Sequence, residues 1–272
     1  MAAKKKLEIT VPDVKSVLPK VLVGGLIIAA FVIGTLWQKV RTLEKSANTT
    51  ATTTATTTQP TNAPISIDIV KSLWDKDLVK FGDANKKLLF VEVGDPSCPF
   101  CHAASGENHD IASSLGPNFK LVADGGTYDA PVTEMRKLVD SGQASFAYVY
   151  FPGHGNGEMG MKALYCANEK GKFWQAHDLL MSGSGYNLMN NTVKNDKTQS
   201  GTVANFLKVA VDPTFLKSCL DSGKYDSRLT ADVTVASSLG VSGTPGFFIN
   251  ATPFPGAYNW PDMKTAVDAA LK

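Results

Sequence analysis

Two cysteines separated by two residues, Cys98-Pro99-Phe100-Cys101, are the residues of this 272-residue chain best placed to do chemistry. A thiol at a helix start faces unpaired backbone N–H groups and the positive end of the helix dipole, and both favour thiolate over thiol. Cys98 is therefore the candidate nucleophile. Cys101, one turn further on, can close a disulfide with it or attack a mixed disulfide formed on it, which makes it the candidate resolving thiol. Three other chemistries use the same letters. Half of a zinc site is one, but Cys166 and Cys219 stand singly and no H-x-x-x-H pair completes a ligand set, so no metal is expected. Cys98-Pro99-Phe100-Cys101-His102 also satisfies the C-x-x-C-H pattern of covalent haem attachment, which would make the chain an anchored c-type cytochrome. Against haem stand the apolar run leading straight into the motif and the lack of an evident second axial ligand. An inert core pair is the third, disfavoured by Gly94-Asp95-Pro96-Ser97, which signals a surface turn.

The elements that must position these thiols follow from the flanking pattern. Leu88-Leu89-Phe90-Val91-Glu92-Val93 reads as a strand buried on both faces, and the stretch from the cysteines to about Leu115 as a helix. A carboxylate in such a strand is costly, so Glu92 is expected to have a raised pKa, to lie beneath the helix and to exchange a proton with Cys101. Upstream, Ile67 to Leu78 reads as a short helix. Downstream, Phe119 to Ala123 reads as a short strand, Pro131 to Val139 as a helix, and Ala144 to Phe151 as a second buried strand. His154 is expected to be a solvated loop residue and His177 a packing residue.

From about 157 to 240 the pattern is helical. Segments run Met159 to Asn168, Phe173 to Met181, Thr202 to Val209, Asp212-Pro213 to Asp221, and Ser227 to Leu239, with Gly240 as the stop. Ser182 to Ser200, rich in Gly, Ser and Asn, reads as a mobile excursion. Cys166 and Cys219 fall on two of these helices; outside the cytoplasm a bridge between them is expected, with two buried thiols as the alternative. After Thr244-Pro245 comes a short apolar strand, Gly246 to Asn250. A proline directly before a strand marks an edge or a special turn, which a cis bond would suit. A hairpin partner near Phe254 to Ala257 and a helix from Asp262 to Leu271 close the chain.

The N-terminal part has a different character. Val21 to Trp37 is an uncharged apolar run of 17 residues, at the lower edge of what spans a bilayer. With Lys4, Lys5, Lys6, Lys15 and Lys20 before it, an N-inside orientation is expected: 1–20 cytoplasmic, 21–37 an uncleaved anchor, and the bulk of the chain outside. Residues 38–64 then form a Thr-rich linker, too poor in large apolar side chains to offset the entropy of ordering. Residues 1–45 hold eight of the 27 Lys and Arg but three of the 25 Asp and Glu, so the remainder is slightly acidic and carries no nucleic-acid footprint.

With these pieces the chain resembles the DsbA-like thiol-disulfide oxidoreductases of the thioredoxin superfamily, over about residues 65–272. The resemblance rests on Glu92, on Cys98-Pro99-Phe100-Cys101, on Gly171-Lys172-Phe173-Trp174 with His177-Asp178, and on Gly240 to Asn250 with its Thr244-Pro245. It implies an α/β thioredoxin fold with an inserted helical domain, and catalysis by Cys98 and Cys101 with Glu92. It also implies a cis Pro245 against the pair, a substrate chain bound along Pro99, Phe100, Thr244 and Pro245, and a structural Cys166–Cys219 disulfide. No cofactor is implied. The expected substrates are exported proteins with cysteine thiols, reoxidation falling to a quinone-linked membrane partner. A reductase or isomerase of the same architecture is the alternative. Pro96-Ser97 departs from the aromatic residues that often precede the first cysteine.

Overall fold

A computed structural model describes residues 65–272; the expected cytoplasmic segment, anchor and linker of residues 1–64 lie outside the described residues. Among the described residues no helix is long and apolar enough to cross a membrane.

All seven residues of Leu88–Gly94 are buried, which an apolar run achieves only where both sheet faces are covered. It forms the centre of a five-stranded sheet. In chain order the strands are β1 (Val79–Phe81), β2 (Leu88–Gly94), β3 (Ala144–Tyr150), β4 (Gly246–Ile249) and β5 (Thr252–Pro255), and their spatial order is β1-β3-β2-β4-β5. Strand β2 runs parallel to β3 and antiparallel to β4. The parallel pairing needs a crossover, supplied by α2 (Pro99–Ser105), α3 (His109–Ser114) and α4 (Pro131–Asp140) after the N-terminal α1 (Ile67–Lys71). The edge strand β5 carries Pro253 and Pro255, which have no N–H to offer, so this edge presents no full ladder to a further chain.

The inserted helices are α5 (Glu158–Asn168), α6 (Phe173–Met181), α7 (Gly183–Asn187), a π-helical turn over Leu188–Val193, α8 (Ser200–Phe206), α9 (Pro213–Asp221) and α10 (Asp226–Ser238). The terminal helix is α11 (Trp260–Leu271). Period-two alternation divides the strands between two cores. Phe90, Phe146 and Tyr148 pack with Met161, Leu164 and Phe173 of the insertion and with Met135 and Met263. Leu89, Val91, Val93 and Val149 face Val70, Leu73, Ala236 and Leu239 on the other side.

Four local expectations are corrected. The helix expected to run to Leu115 breaks at Gly106, whose φ of +80° places it in the left-handed region; Asn108 then caps α3 by accepting from Ile111 N. A side chain at Gly106 would also meet Thr133 Oγ1 at 2.9 Å. Phe119 to Ala123 is not a strand but lies across two 3₁₀ turns, with a single bridge from Leu121 to Tyr128, because Gly116-Pro117 and Gly125-Gly126 cut it too short to pair. The first helix stops at Lys71, and β1 follows a 3₁₀ turn; three residues are too few to show a period. Ser182 to Ser200 is an ordered part of the fold, anchored by the fully buried Met189 and Val193.

Cys166 on α5 and Cys219 on α9 are joined in a disulfide, their Cα atoms 6.2 Å apart. It closes a loop of 53 residues. On the chain-entropy account, the Cys166→Ser/Cys219→Ser double variant should lose about 4 kcal/mol of stability in urea unfolding. Its thiol exchange at Cys98 should be unchanged.

Candidate redox site

The site begins where β2 ends. Asp95 and Ser97 are fully buried in the turn that carries the chain into α2. Asp95 Oδ1 accepts from Ser97 N at 2.8 Å and Ser97 Oγ at 2.7 Å, while Oδ2 accepts from His154 N at 2.8 Å. Asn156 N donates to Ser97 Oγ at 3.1 Å, and Asn190 Nδ2 of the π-helical turn donates to the Ser97 carbonyl at 3.1 Å. The residue before the nucleophile is thus tied to the β3–α5 loop and to the stretch expected to be mobile. An Asp two residues before a Ser is a legible turn signal. Asn190, 93 residues from Ser97, carries no such local sign.

Cys98 is the N-cap of α2 and Pro99 its first residue, a position where a missing N–H costs nothing. The Cys98 thiol donates to the Thr244 carbonyl at 3.3 Å, and the Thr244–Pro245 peptide is cis. Thr244 and Pro245 therefore stand against the cysteine, as the resemblance implies. Cys98 is 4% exposed, Cys101 is fully buried, and Met181 of α6 packs on both. Phe100 points outward, 39% exposed, with its ring edge-on to Phe119 at 5.4 Å.

The two free thiols are pushed in opposite directions. Cys98 is lowered to about 6, chiefly by a hydrogen bond from the Cys101 thiol, against the opposing effect of burial, and further by the backbone N–H groups of Cys101 and Phe100. The helix start contributes as expected, but the second cysteine contributes more. Cys101 is raised by burial first, then by the Cys98 thiolate and the Glu92 charge. Its sulfur accepts from Asp95 N at 3.5 Å. Glu92 is 1% exposed, neither carboxyl oxygen has a hydrogen-bond partner, and burial raises it to about 8. Such a carboxyl is protonated at neutral pH and can release its proton without a large penalty.

The haem pattern does not fit. His102 is fully buried, with Nε2 at 2.9 Å from the Pro96 carbonyl and Nδ1 hemmed in by the Met181 carbonyl at 2.7 Å and Asn108 Nδ2 at 3.2 Å, so neither ring nitrogen is open to an iron. Burial lowers it to about 4. Cys166, Glu169 and Cys219 converge, but the two sulfurs are bonded to each other and are not available as thiolate ligands. His154 is exposed, as expected. His177 is buried with Nδ1 at 3.1 Å from Asp178 Oδ1, yet its Nε2 has no partner, so the expected packing role leaves one polar atom unaccounted for.

A family model described as thioredoxin matches residues 132–269, just over half of the chain. The chain belongs to the thioredoxin family. The matched stretch runs from α4 into α11 and includes Pro245, with the cysteine pair upstream of it. In fold the chain is similar to α-DsbA1 of Wolbachia pipientis, with a TM-score of 0.53 and 16% identity over 72% of this chain and 91% of that one. It is also similar to the thiol-disulfide exchange protein α-DsbA2 of the same organism, with a TM-score of 0.51 and 15% identity over 75% and 92% of the two chains. The fold is that of the DsbA-like thiol-disulfide oxidoreductases, and Cys98–Cys101 is a C-x-x-C pair. Among curated proteins the chain is 24% identical, over 197 residues, to a protein named Na(+)/H(+) antiporter NhaA 1 of Salinispora arenicola. That match covers 72% of this chain, which spans about a quarter of the length of the curated relatives it matches.

Proposed function

We propose that the protein is a membrane-tethered, extracytoplasmic thiol-disulfide oxidase that donates the Cys98–Cys101 disulfide to exported proteins. The observation that carries this reading is the divergence of the two thiols, Cys98 lowered to about 6 and Cys101 raised. A substrate thiolate attacks Cys98, a Cys98–substrate disulfide forms, and Cys101 leaves with the electron pair and takes a proton. A second substrate thiolate then attacks its partner sulfur, and Cys98 leaves as thiolate. Two electrons have passed from the substrate dithiol to the enzyme, and a quinone-linked membrane partner removes them.

At pH 7 a thiol titrating at about 6 favours the reduced enzyme roughly tenfold over one titrating at 9, about 30 mV toward an oxidant. The Phe100 side chain adds no charge or hydrogen bond to this. Thr244 supports a substrate site beside Cys98, since its carbonyl already accepts from the thiol and its backbone can pair with an extended chain. The apolar run of residues 21–37 and the linker of 38–64 support the tether and the extracytoplasmic location.

The deciding measurement is the reduction potential of the Cys98–Cys101 pair, by equilibration against glutathione with Cys166 and Cys219 followed separately. A potential well above about −200 mV is expected; one near or below about −270 mV would replace the oxidase by a reductase.

A further inference from the structure

The turn that carries Cys98 is held by a part of the chain to which the exchange mechanism gives no role. Its three carbonyls each face a different residue: that of Asp95 accepts from Cys98 N at 3.0 Å, that of Pro96 lies 2.9 Å from His102 Nε2, and that of Ser97 accepts from Asn190 Nδ2 at 3.1 Å. The Ser97–Cys98 peptide is therefore tied at both ends, its N–H to Asp95 and its oxygen to Asn190. Of these partners Asn190 is the one that comes from the inserted helices. Its Nδ2 also donates to the Tyr186 carbonyl at 3.2 Å, and its Oδ1 accepts from Asn156 Nδ2 at 3.1 Å. Both carbonyls can only accept, so the amide has one orientation. Asn156 gives its own backbone N–H to Ser97 Oγ, so Asn190 braces Ser97 twice, directly and through the β3–α5 loop. The backbone around Asn190 serves this reach. Leu188–Val193 is a π-helical turn, a form found mostly as single turns and often at functional sites. Lys194 and Asn195 follow at φ +44° and +62°, in the left-handed region that non-glycine residues rarely enter. Asn195 is fixed there by its side chain, which donates to the Gly155 carbonyl at 2.8 Å and accepts from Met159 N at 3.3 Å. Met189 closes on the same place: a Cβ at Gly160 of α5 would meet Met189 Sδ at 2.9 Å and Pro96 Cβ at 3.0 Å. Strain of this kind persists only where the surroundings over-determine it, and here they are the active-site turn and its loop.

We propose that Asn190 is a positioning residue of the exchange reaction, holding the Ser97–Cys98 peptide in the orientation that presents the Cys98 sulfur to a substrate. The inference rests on Cys98 as the nucleophile. Asn190 touches no reacting atom and acts through the Ser97 carbonyl. Ser97 is fully buried, so without the amide that carbonyl has no water to turn to, and the peptide rotates toward another donor. Rotation swings the Cys98 sulfur away from the groups that hold its thiolate, the Cys101 thiol first and then the backbone N–H groups of Cys101 and Phe100. Exchange also needs the attacking sulfur, the Cys98 sulfur and the Cys101 sulfur close to a line, and a misplacement of about 1 Å in such a geometry is costly in rate. The inserted helices thus supply part of the nucleophile's seat, from 93 residues away in sequence.

Two readings on the full-length chain test this: the rate at which the oxidised form reacts with a reduced dithiol peptide at pH 7, and the ultraviolet thiolate absorbance of the reduced form titrated across the range in which Cys98 ionises. Asn190→Ala removes the amide, and Asn190→Leu keeps its approximate size without a donor. Both are expected to react about tenfold more slowly, with the Cys98 titration displaced upward from about 6 by about half a unit. Asn191→Ala, on the same turn but exposed and with its amide donating to Asn187, should superimpose on wild type. Asn156→Ala leaves Asn190 its bond to Ser97 and should give changes of the same sign and smaller size; it decides the matter if both Asn190 variants fail to fold. A lowered urea midpoint in the Asn190 variants, with rate and titration those of wild type, would reduce the amide to a stabiliser of the fold and overturn the proposal. Equal changes in Asn191→Ala would overturn it as well. A wild-type chain that does not react with the dithiol removes the oxidase reading alone; the titration then decides, and a Cys98 unmoved by Asn190→Ala sinks the positioning role.

Discussion

Cys98→Ser is expected to reduce thiol exchange to the uncatalysed background, whereas Cys101→Ser is expected to stall with substrate held on Cys98 as a mixed disulfide. The two cysteines are not equivalent because their surroundings differ. At pH 7 a thiol titrating at about 6 is roughly 90% thiolate, against about 1% for one titrating at 9, so Cys98 is both the accessible sulfur and the better leaving group. Cys101 is fully buried and raised, and it reacts only with the sulfur beside it. Non-reducing electrophoresis after incubation with a disulfide-bonded protein, from which the Cys98 thiolate displaces one sulfur as thiolate, should show the trapped adduct in Cys101→Ser and none in Cys98→Ser. An adduct in Cys98→Ser would overturn the assignment of the nucleophile. The largest cause of the low Cys98 value is the hydrogen bond from Cys101, and a serine hydroxyl can still donate it. Cys101→Ala cannot. Alkylation of Cys98 at pH 6 should accordingly slow by about tenfold or more in the alanine variant and only slightly in the serine variant.

What was legible in the sequence and what was not separates along local and distant causes. Strand β2, the cysteine pair at its end, and Thr244-Pro245 before β4 announce themselves, because each is set by a few adjacent residues: an uninterrupted apolar run, a turn, a proline ahead of a strand. Glu92 stands out for the same reason, as a charge inside that run. The clamp on the active-site turn does not, since Asp95 reaches His154 N and Ser97 is held by Asn190, over separations that no periodicity records. Ser182 to Ser200 misleads because its polar composition is that of a loop, while its asparagines supply bonds to backbone at the site and its few apolar residues are all needed as anchors. Gly106 looks like a tolerable glycine within a helix and is in fact its end. Tyr148 is the deepest case. An aromatic residue in a buried strand reads as core, and only the register with Glu92 shows that its hydroxyl shares a face with that carboxyl and, like it, has no partner.

Glu92→Gln is expected to stabilise the protein at alkaline pH while slowing exchange. A carboxyl raised from 4.5 to about 8 by burial binds its proton more tightly in the folded than in the unfolded chain. Its contribution to stability is therefore fully present below pH 4.5 and is lost as pH rises through 8. The loss amounts to about 2 kcal/mol by pH 6 and on the order of 4 to 5 kcal/mol above pH 8, as an upper bound. Glutamine keeps the shape without the titration, so the gap between variant and wild type should open across this window. Cys98 runs the other way. Lowered to about 6, it adds stability that is present above pH 9 and lost as pH falls through 6, so in the reduced protein the two trends partly cancel between 6 and 8. The comparison is therefore best made on the oxidised protein, where Cys98 cannot titrate. Burial alone raises Glu92, so its shift does not depend on the thiols and should survive oxidation. Oxidised wild type should lose urea stability steadily from pH 5 to 8, and oxidised Glu92→Gln should not. Parallel pH profiles for the two would mean that Glu92 is ionised in a solvated setting, and the cost of a buried charge beneath the cysteines would have to be abandoned.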